Sequence, residues 1–179
     1  MLWTEQALPG VFVLDAQPHA DERGSLRRQF CRREFEQHGV VADVMQCNMS
    51  ENSRKHTLRG FHYQAAPHGE AKTISCVRGA VHDIVVDMRP ESKTYMKWIS
   101  VELTADNRKS LHVPAGCANA WLTLADDTWV YYLHSGFYAP EAERGVRYDD
   151  PLFKFRWPAE PAVISDKDRR IPDYVDKKR

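Results

Sequence analysis

The chain has 179 residues with 25 Lys and Arg against 25 Asp and Glu, so its formal net charge is zero. A chain this long buries about 70% of its unfolded surface and needs only one core, which predicts a single domain over residues 1–179. Zero net charge excludes the broad basic footprint of a nucleic-acid binder and leaves room for a local basic pocket that takes a small anion.

The N-terminal Met1-Leu-Trp-Thr-Glu-Gln6 lacks a basic and apolar leader, and no run of about 18 apolar residues marks a membrane span. Pro9-Gly10 is a turn, followed by a short apolar strand over Val11 to Leu14. Asp21-Glu-Arg-Gly24 is a second turn, leading into an extended stretch from Ser25 to Cys31. Arg33 to His38, closed by Gly39, is one of few helix candidates. Strands then follow at Val41–Met49, His56–Gln64, Lys72–Val77, Ala80–Met88, Tyr95–Leu103, Ser110–Val113, Cys117–Leu124 and Trp129–His134, with turns at the spacing of a sandwich or barrel. A polar tail runs from Ser165 to Arg179. No repeat or low-complexity tract interrupts this all-β, double-sheet pattern. Cys31, Cys47, Cys76 and Cys117 form no CxxC pair, which points away from zinc and disulfides and toward a reducing, cytoplasmic setting.

Chemistry concentrates on Thr57-Leu-Arg-Gly-Phe-His-Tyr-Gln64. Strand alternation puts Arg59, Phe61 and Tyr63 on one face and Leu58, Gly60, His62 and Gln64 on the other, unless a bulge at Gly60 re-aims one of the charged pair. A buried histidine is often no more than a satisfied core residue, but Lys72 opens the next strand, and a hairpin would set base and cation on neighbouring strands of one sheet. There the lysine can stabilise an oxyanion. Asp168 sits in the polar tail and can orient His62 only if that tail docks. Of Tyr131 and Tyr132, alternation turns one inward, where a phenol can return a proton to a carbanion. Metal-binding β-barrels use an H-x-H pair; here Gln64 stands at the second position and Asn119 where a later ligand is wanted, while His68, His82 and His112 are scattered, so no metal is expected.

Leu58-Arg-Gly-Phe-His-Tyr-Gln64, Val113-Pro-Ala-Gly116, Phe137-Tyr-Ala-Pro-Glu-Ala-Glu-Arg144, Tyr148-Asp-Asp-Pro151, Trp157-Pro158 and Ser165-Asp-Lys-Asp168 together resemble the dTDP-4-dehydrorhamnose 3,5-epimerase family of sugar-nucleotide epimerases over nearly the whole chain. The resemblance implies a cupin-type jelly roll, or double-stranded β-helix, with a few short peripheral helices. It also implies a homodimer with an exchanged N-terminal strand, no metal or organic cofactor, and a nucleoside-diphosphate 4-keto-6-deoxy-hexose as substrate. His62 matches the family's base, Asp168 its orienting carboxylate, Lys72 the group that stabilises the enolate oxygen, and Tyr132 the proton donor. Arg23 and Arg59 match diphosphate contacts, and Gln46, Asn48, Tyr138, Glu143 and Lys167 match further substrate contacts, some of them serving the neighbouring subunit.

Two departures bear on scope. The family usually carries an aromatic and an acid on the nucleobase after the first turn, whereas this chain reads Arg23-Gly-Ser-Leu-Arg-Arg28, and Leu26 and Arg28 cannot make those contacts. A guanidinium only donates, so a base other than thymine, or another face of it, is the expectation. Asn119 replaces a histidine near the substrate ketone, which removes a cation and a titrating proton and predicts altered substrate use or inversion of one centre instead of two. The rival readings are a ketoisomerase on the same barrel and a non-catalytic sugar-nucleotide-binding module.

Overall fold

β-Branched and aromatic residues dominate the segments between turns, and in the computed structural model, which describes residues 1–176, they form two six-stranded sheets. The N-terminal part supplies β1 (Leu2–Glu5), β2 (Phe12–Asp15), a small hairpin of β3 (His19–Asp21) and β4 (Gly24–Leu26), and helix α1 (Arg32–Gln37). The barrel continues with β5 (Gln46–Asn52), β6 (Thr57–Gln64), β7 (Lys72–Arg78), β8 (Ala80–Asp87) and β9 (Trp98–Thr104). It closes with β10 (Lys109–Val113), β11 (Cys117–Thr123), β12 (Thr128–His134), β13 (Glu143–Gly145), β14 (Val163–Ile164) and helix α2 (Asp166–Arg169).

The first sheet has the order β1-β2-β10-β7-β12-β5; the second has β13-β6-β11-β8-β9, with β14 parallel to β6. From β5 to β8 each strand crosses to the opposite sheet, as at Gly79, whose φ of +74° turns β7 of the first sheet into β8 of the second. This is the jelly roll that the resemblance implies. Alternation on β8 and β11 sorts side chains cleanly. Val81, Val85, Cys117 and Trp121 join Ile74, Leu103, Leu111 and Val130 between the sheets, whereas Ile84, Val86, Ala118 and Ala120 pack outside with Phe61, Val146 and Phe153. Segment 153–157 and Tyr174 therefore cover the outer face of the second sheet.

Several boundaries depart from the sequence reading. β1 has no counterpart there; it pairs with β2 of its own chain. Of the expected extended run Ser25–Cys31, only Ser25 and Leu26 pair, in β4. The strand expected at Val41–Met49 begins at Gln46, because β5 takes its register from β12, with Tyr132 opposite Asn48. The one expected from Tyr95 begins at Trp98, after a turn in which Tyr95 N–H donates to the Ser92 carbonyl and Met96 has a φ of 64°. The tail is no loose end: Val163 and Ile164 pair with Thr57 and Leu58, and α2 docks behind them. The last residues of that tail, and of the expected domain 1–179, lie outside the described residues. Among the described residues no helix is long and apolar enough to cross a membrane.

Candidate active site

Gly60 shapes the site. Trp121 lies opposite Arg59 and Asn119 opposite His62, so β6 spends one residue more than β11 over this stretch. Gly60 carries that bulge at a φ of +114°, and a Cβ there would lie 2.5 Å from the Asn119 carbonyl oxygen and 2.6 Å from the Ala120 Cβ. The extra residue sends Phe61 outward, where it stacks on Phe155 at 4.2 Å. It also leaves Arg59 and His62 lining one pocket, despite their odd spacing. The bulge is thus the exception that strand alternation requires.

His62 and Lys72 do meet, but not through a hairpin. β6 belongs to the second sheet and β7 to the first, so the two residues face each other across the barrel, and Lys72 Nζ donates to the His62 carbonyl oxygen at 3.1 Å. Hydrophobic pattern alone does not say which sheet a strand joins.

The docked tail brings Asp168 to His62. Ser165 caps α2 by accepting from the Asp168 amide at 3.1 Å. Asp168 Oδ1 accepts from His62 Nε2 at 2.7 Å, and Oδ2 accepts from the Gly60 N–H at 3.3 Å. Burial raises the Asp168 carboxyl, but the hydrogen bond and charge of His62 outweigh it and hold the group below its ordinary value. A carboxylate on Nε2–H leaves Nδ1 with the lone pair, ready to accept a proton.

The opposite wall belongs to the first sheet. On β12 the inward tyrosine is Tyr132, edge-on to Trp121 at 5.6 Å, while Tyr131 lies on the other side of the strand near Cys47. Burial raises the Tyr132 phenol, partly opposed by the charge of Arg59, so it keeps its proton at neutral pH. Burial lowers the Lys72 ammonium, opposed by the charges of Glu70, Asp83 and Glu143. Asn119 Nδ2 reaches both oxygens of Asp83 at 3.4 Å. Burial pushes the Asp83 carboxyl well above its ordinary value, with Asn119 and Lys72 pulling back.

At the rim, Gln46 Oε1 accepts from the Tyr138 N–H at 2.6 Å and Tyr138 Oη donates to Glu143 at 2.8 Å. Lys167 Nζ bonds both Glu143 oxygens at 2.7 and 2.6 Å. Burial raises Glu143, but Lys167 and Tyr138 outweigh it and the net direction is down. Arg59 is held by Asn52, whose Oδ1 accepts from Nε at 2.8 Å. The pocket thus gathers Gln46, Asn48, Arg59, His62, Lys72, Asn119, Tyr132, Tyr138 and Glu143, with Asp168 and Lys167 bonded directly behind.

Arg23 and Arg28 do not join it. Arg23 pairs with Asp21 at the tip of the β3–β4 hairpin, and Arg28 pairs with Glu34 at 2.9 Å over a separate groove that Leu26 also lines. Sequence reasoning misses the wall residues Tyr63, Glu70, Trp121 and His134, and Asp83 buried behind Asn119. An acid in the middle of the apolar run Ala80–Asp87 is a legible signal for Asp83; nothing local marks Glu70 or His134. Gln64, at the H-x-H position, is spent on structure, donating to the His68 and Phe137 carbonyls and accepting from the Ala139 N–H.

The sequence model of dTDP-4-dehydrorhamnose 3,5-epimerase matches residues 5–176. The dTDP-4-dehydrorhamnose 3,5-epimerase of Shigella flexneri is 35% identical over 170 residues, covering 94% of this chain and 93% of that one. The crystal structure of the Bacillus anthracis enzyme of that name, with TDP and PPi bound, is 31% identical, covers 97% of this chain and 99% of its own, and superposes with a TM-score of 0.93. A 3′-monoepimerase from Streptomyces bikiniensis, in complex with dTDP-quinovose, is 34% identical, with coverage of 94% and 85% and a TM-score of 0.87.

Proposed function

We propose a residue-level mechanism for this chain, which belongs to the dTDP-4-dehydrorhamnose 3,5-epimerase family and is an isomerase acting on sugar nucleotides. It inverts C3, C5 or both in a nucleoside-diphosphate 4-keto-6-deoxy-hexose during deoxysugar biosynthesis, and that catalytic reading takes precedence over a binding module. The 4-keto group acidifies the hydrogens on C3 and C5. His62 removes one of these protons, its ring held by Asp168; the electron pair moves onto the C4 oxygen, which Lys72 stabilises. Tyr132 then gives a proton to the opposite face of the carbon. The observation that carries this assignment is the His62–Asp168 pair facing Lys72 and Tyr132 across one pocket. General-base assistance contributes about 10²–10⁴ in rate and one oxyanion donor about 3–4 kcal/mol.

Arg59 is the diphosphate contact of this pocket, and Gln46, Asn48, Tyr138, Glu143 and Lys167 are its substrate contacts. Arg23 and Arg28, which do not line their own chain's pocket, serve the neighbour's in a homodimer; sedimentation at about twice 20.7 kDa supports this, and a monomer speaks against it. Leu26 and Arg28 then meet the nucleobase, which favours bases that offer acceptors. Asn119 bonds Asp83 and presents the ketone with a neutral amide, which favours inversion of one centre over the other. All four cysteines are free thiols, which fits a cytoplasmic setting. The test is incubation with dTDP-, UDP-, CDP- and GDP-4-keto-6-deoxy-glucose in D₂O, with deuterium at C3 and C5 read by NMR. Incorporation with at least one nucleotide is expected, at unequal rates for the two carbons. Equal inversion at both refutes the single-centre preference; silence across the panel refutes the substrate class.

A further inference from the structure

The pocket holds a second carboxylate–imidazole pair that the mechanism leaves unused. His134 Nδ1 donates to Glu70 Oε2 at 2.8 Å, and both side chains are almost wholly withdrawn from solvent. With Nδ1–H committed to the carboxylate, Nε2 is the acceptor, and Asn48 Nδ2 donates to it at 3.2 Å. Strand register explains the convergence. His134 lies between Lys72 on β7 and Gln46 on β5, and Tyr132, next inward on β12, lies beside Asn48. Asn48 is the cross-strand partner of Tyr132, its amide favours the ionised phenol, and the Tyr132 and His134 rings are 5.0 Å apart. The other Glu70 oxygen, Oε1, lies 4.0 Å from Lys72 Nζ. A buried carboxylate and imidazole are costly to withdraw from water, and here every polar contact they make runs toward the wall opposite His62.

We propose that Glu70 and His134 are a positioning pair for the acid side of the reaction, holding Asn48, Tyr132 and Lys72 in the arrangement that delivers a proton to the inverted face. This rests on the epimerase reading. The pair touches no reacting atom; it acts through Asn48 on the Tyr132 hydroxyl and through charge on Lys72. Through Lys72 the pair acts on proton removal and return alike, so that part cancels in a ratio of the two, whereas through Asn48 and Tyr132 it acts on return alone. Once His62 has taken the carbon-bound proton and exchanged it with solvent, return to the same face gives back the starting sugar carrying deuterium. Delivery from Tyr132 gives the inverted sugar.

The experiment compares deuterium wash-in to recovered substrate with formation of inverted product, in D₂O, for the wild type, His134→Phe and Glu70→Gln. Phenylalanine keeps a ring beside Tyr132 and loses both hydrogen bonds; glutamine keeps the shape of Glu70 and an acceptor for Nδ1–H. In His134→Phe the ratio of wash-in to inversion is expected to rise about tenfold, with kcat for inversion falling and KM little changed. Glu70→Gln is expected to fall between that variant and the wild type. A His134→Phe ratio equal to that of the wild type overturns the inference, whether both rates fall together or neither does. Should that variant fail to fold, Glu70→Gln decides alone, by a raised or an unchanged ratio. Wild-type enzyme inert toward the substrate panel overturns the epimerase reading and this role with it, whereas an active wild type with unchanged variant ratios overturns this role only.

Discussion

Replacing Gly60 by Ala tests whether the bulge in β6 builds the site. The added Cβ would meet the Asn119 carbonyl oxygen at 2.5 Å, the Ala120 Cβ at 2.6 Å and the Ala120 Cα at 2.7 Å, all on the neighbouring strand and two of them backbone. Those atoms cannot swing aside as the end of a flexible side chain does. An L side chain at the observed φ of +114° costs about 1–3 kcal/mol, and forcing a methyl into packed surroundings costs about 1–3 kcal/mol more. The expected loss is therefore about 4 kcal/mol, a large part of the 5–15 kcal/mol typical of a domain. Urea unfolding followed by tryptophan fluorescence measures it, since a fall in midpoint at constant slope reports stability. Function should fall further than stability, because relief of the clash pulls Arg59 and His62 off their common face. A Gly60→Ala protein within about 1 kcal/mol of the wild type, with normal turnover, would refute the bulge as the origin of the pocket.

Asp168→Asn keeps the size of the side chain and an acceptor for Nε2–H but removes the charge that favours the imidazolium. Turnover is expected to fall by about 10²-fold or more, with nucleotide binding retained by calorimetry; a loss under threefold contradicts the orienting role. His112 supplies a pH test of the fold. Burial lowers it from 6.5 to about 4, so below its ordinary value the unfolded chain takes up the proton first. Its contribution to stability is complete above about pH 6.5 and is lost as pH falls toward 4, up to about 3 kcal/mol. His112→Gln should flatten the urea-stability profile over that window, and an unchanged slope contradicts the assignment. Asn119→His restores a titratable group beside Asp83 and should bring the two centres closer to equal rates of inversion, as product NMR would show.

Most of the barrel is legible from sequence because its strands are apolar on one or both faces and bounded by turns. β7, β8, β11 and β12 fall within a residue or two of where the pattern puts them. What local pattern cannot supply is partnership. The apparent hairpin from β6 to β7 is a crossing between sheets, and β5 starts late because its register belongs to β12. The Asp168–His62 contact spans 106 residues and depends on two parallel pairs of β14 and the cap at Ser165, none of which has a periodic signature. Gly60 did carry a signal: a glycine inside a strand marks a bulge or a close backbone approach, and here it marks both. Glu70 and His134 were invisible because a lone acid before a strand and a histidine at a strand end are ordinary residues until register brings them together.

The central claim is that His62 removes the substrate proton, and His62→Ala tests it most directly. The measurement is deuterium incorporation at C3 and C5 of whichever 4-keto-6-deoxy sugar nucleotide the wild type accepts, alongside calorimetric binding of the same nucleotide diphosphate. The account predicts that binding persists while incorporation falls by about 10²–10⁴ at every carbon the wild type labels. Near-normal incorporation in His62→Ala would contradict it and move the base to another residue of the pocket.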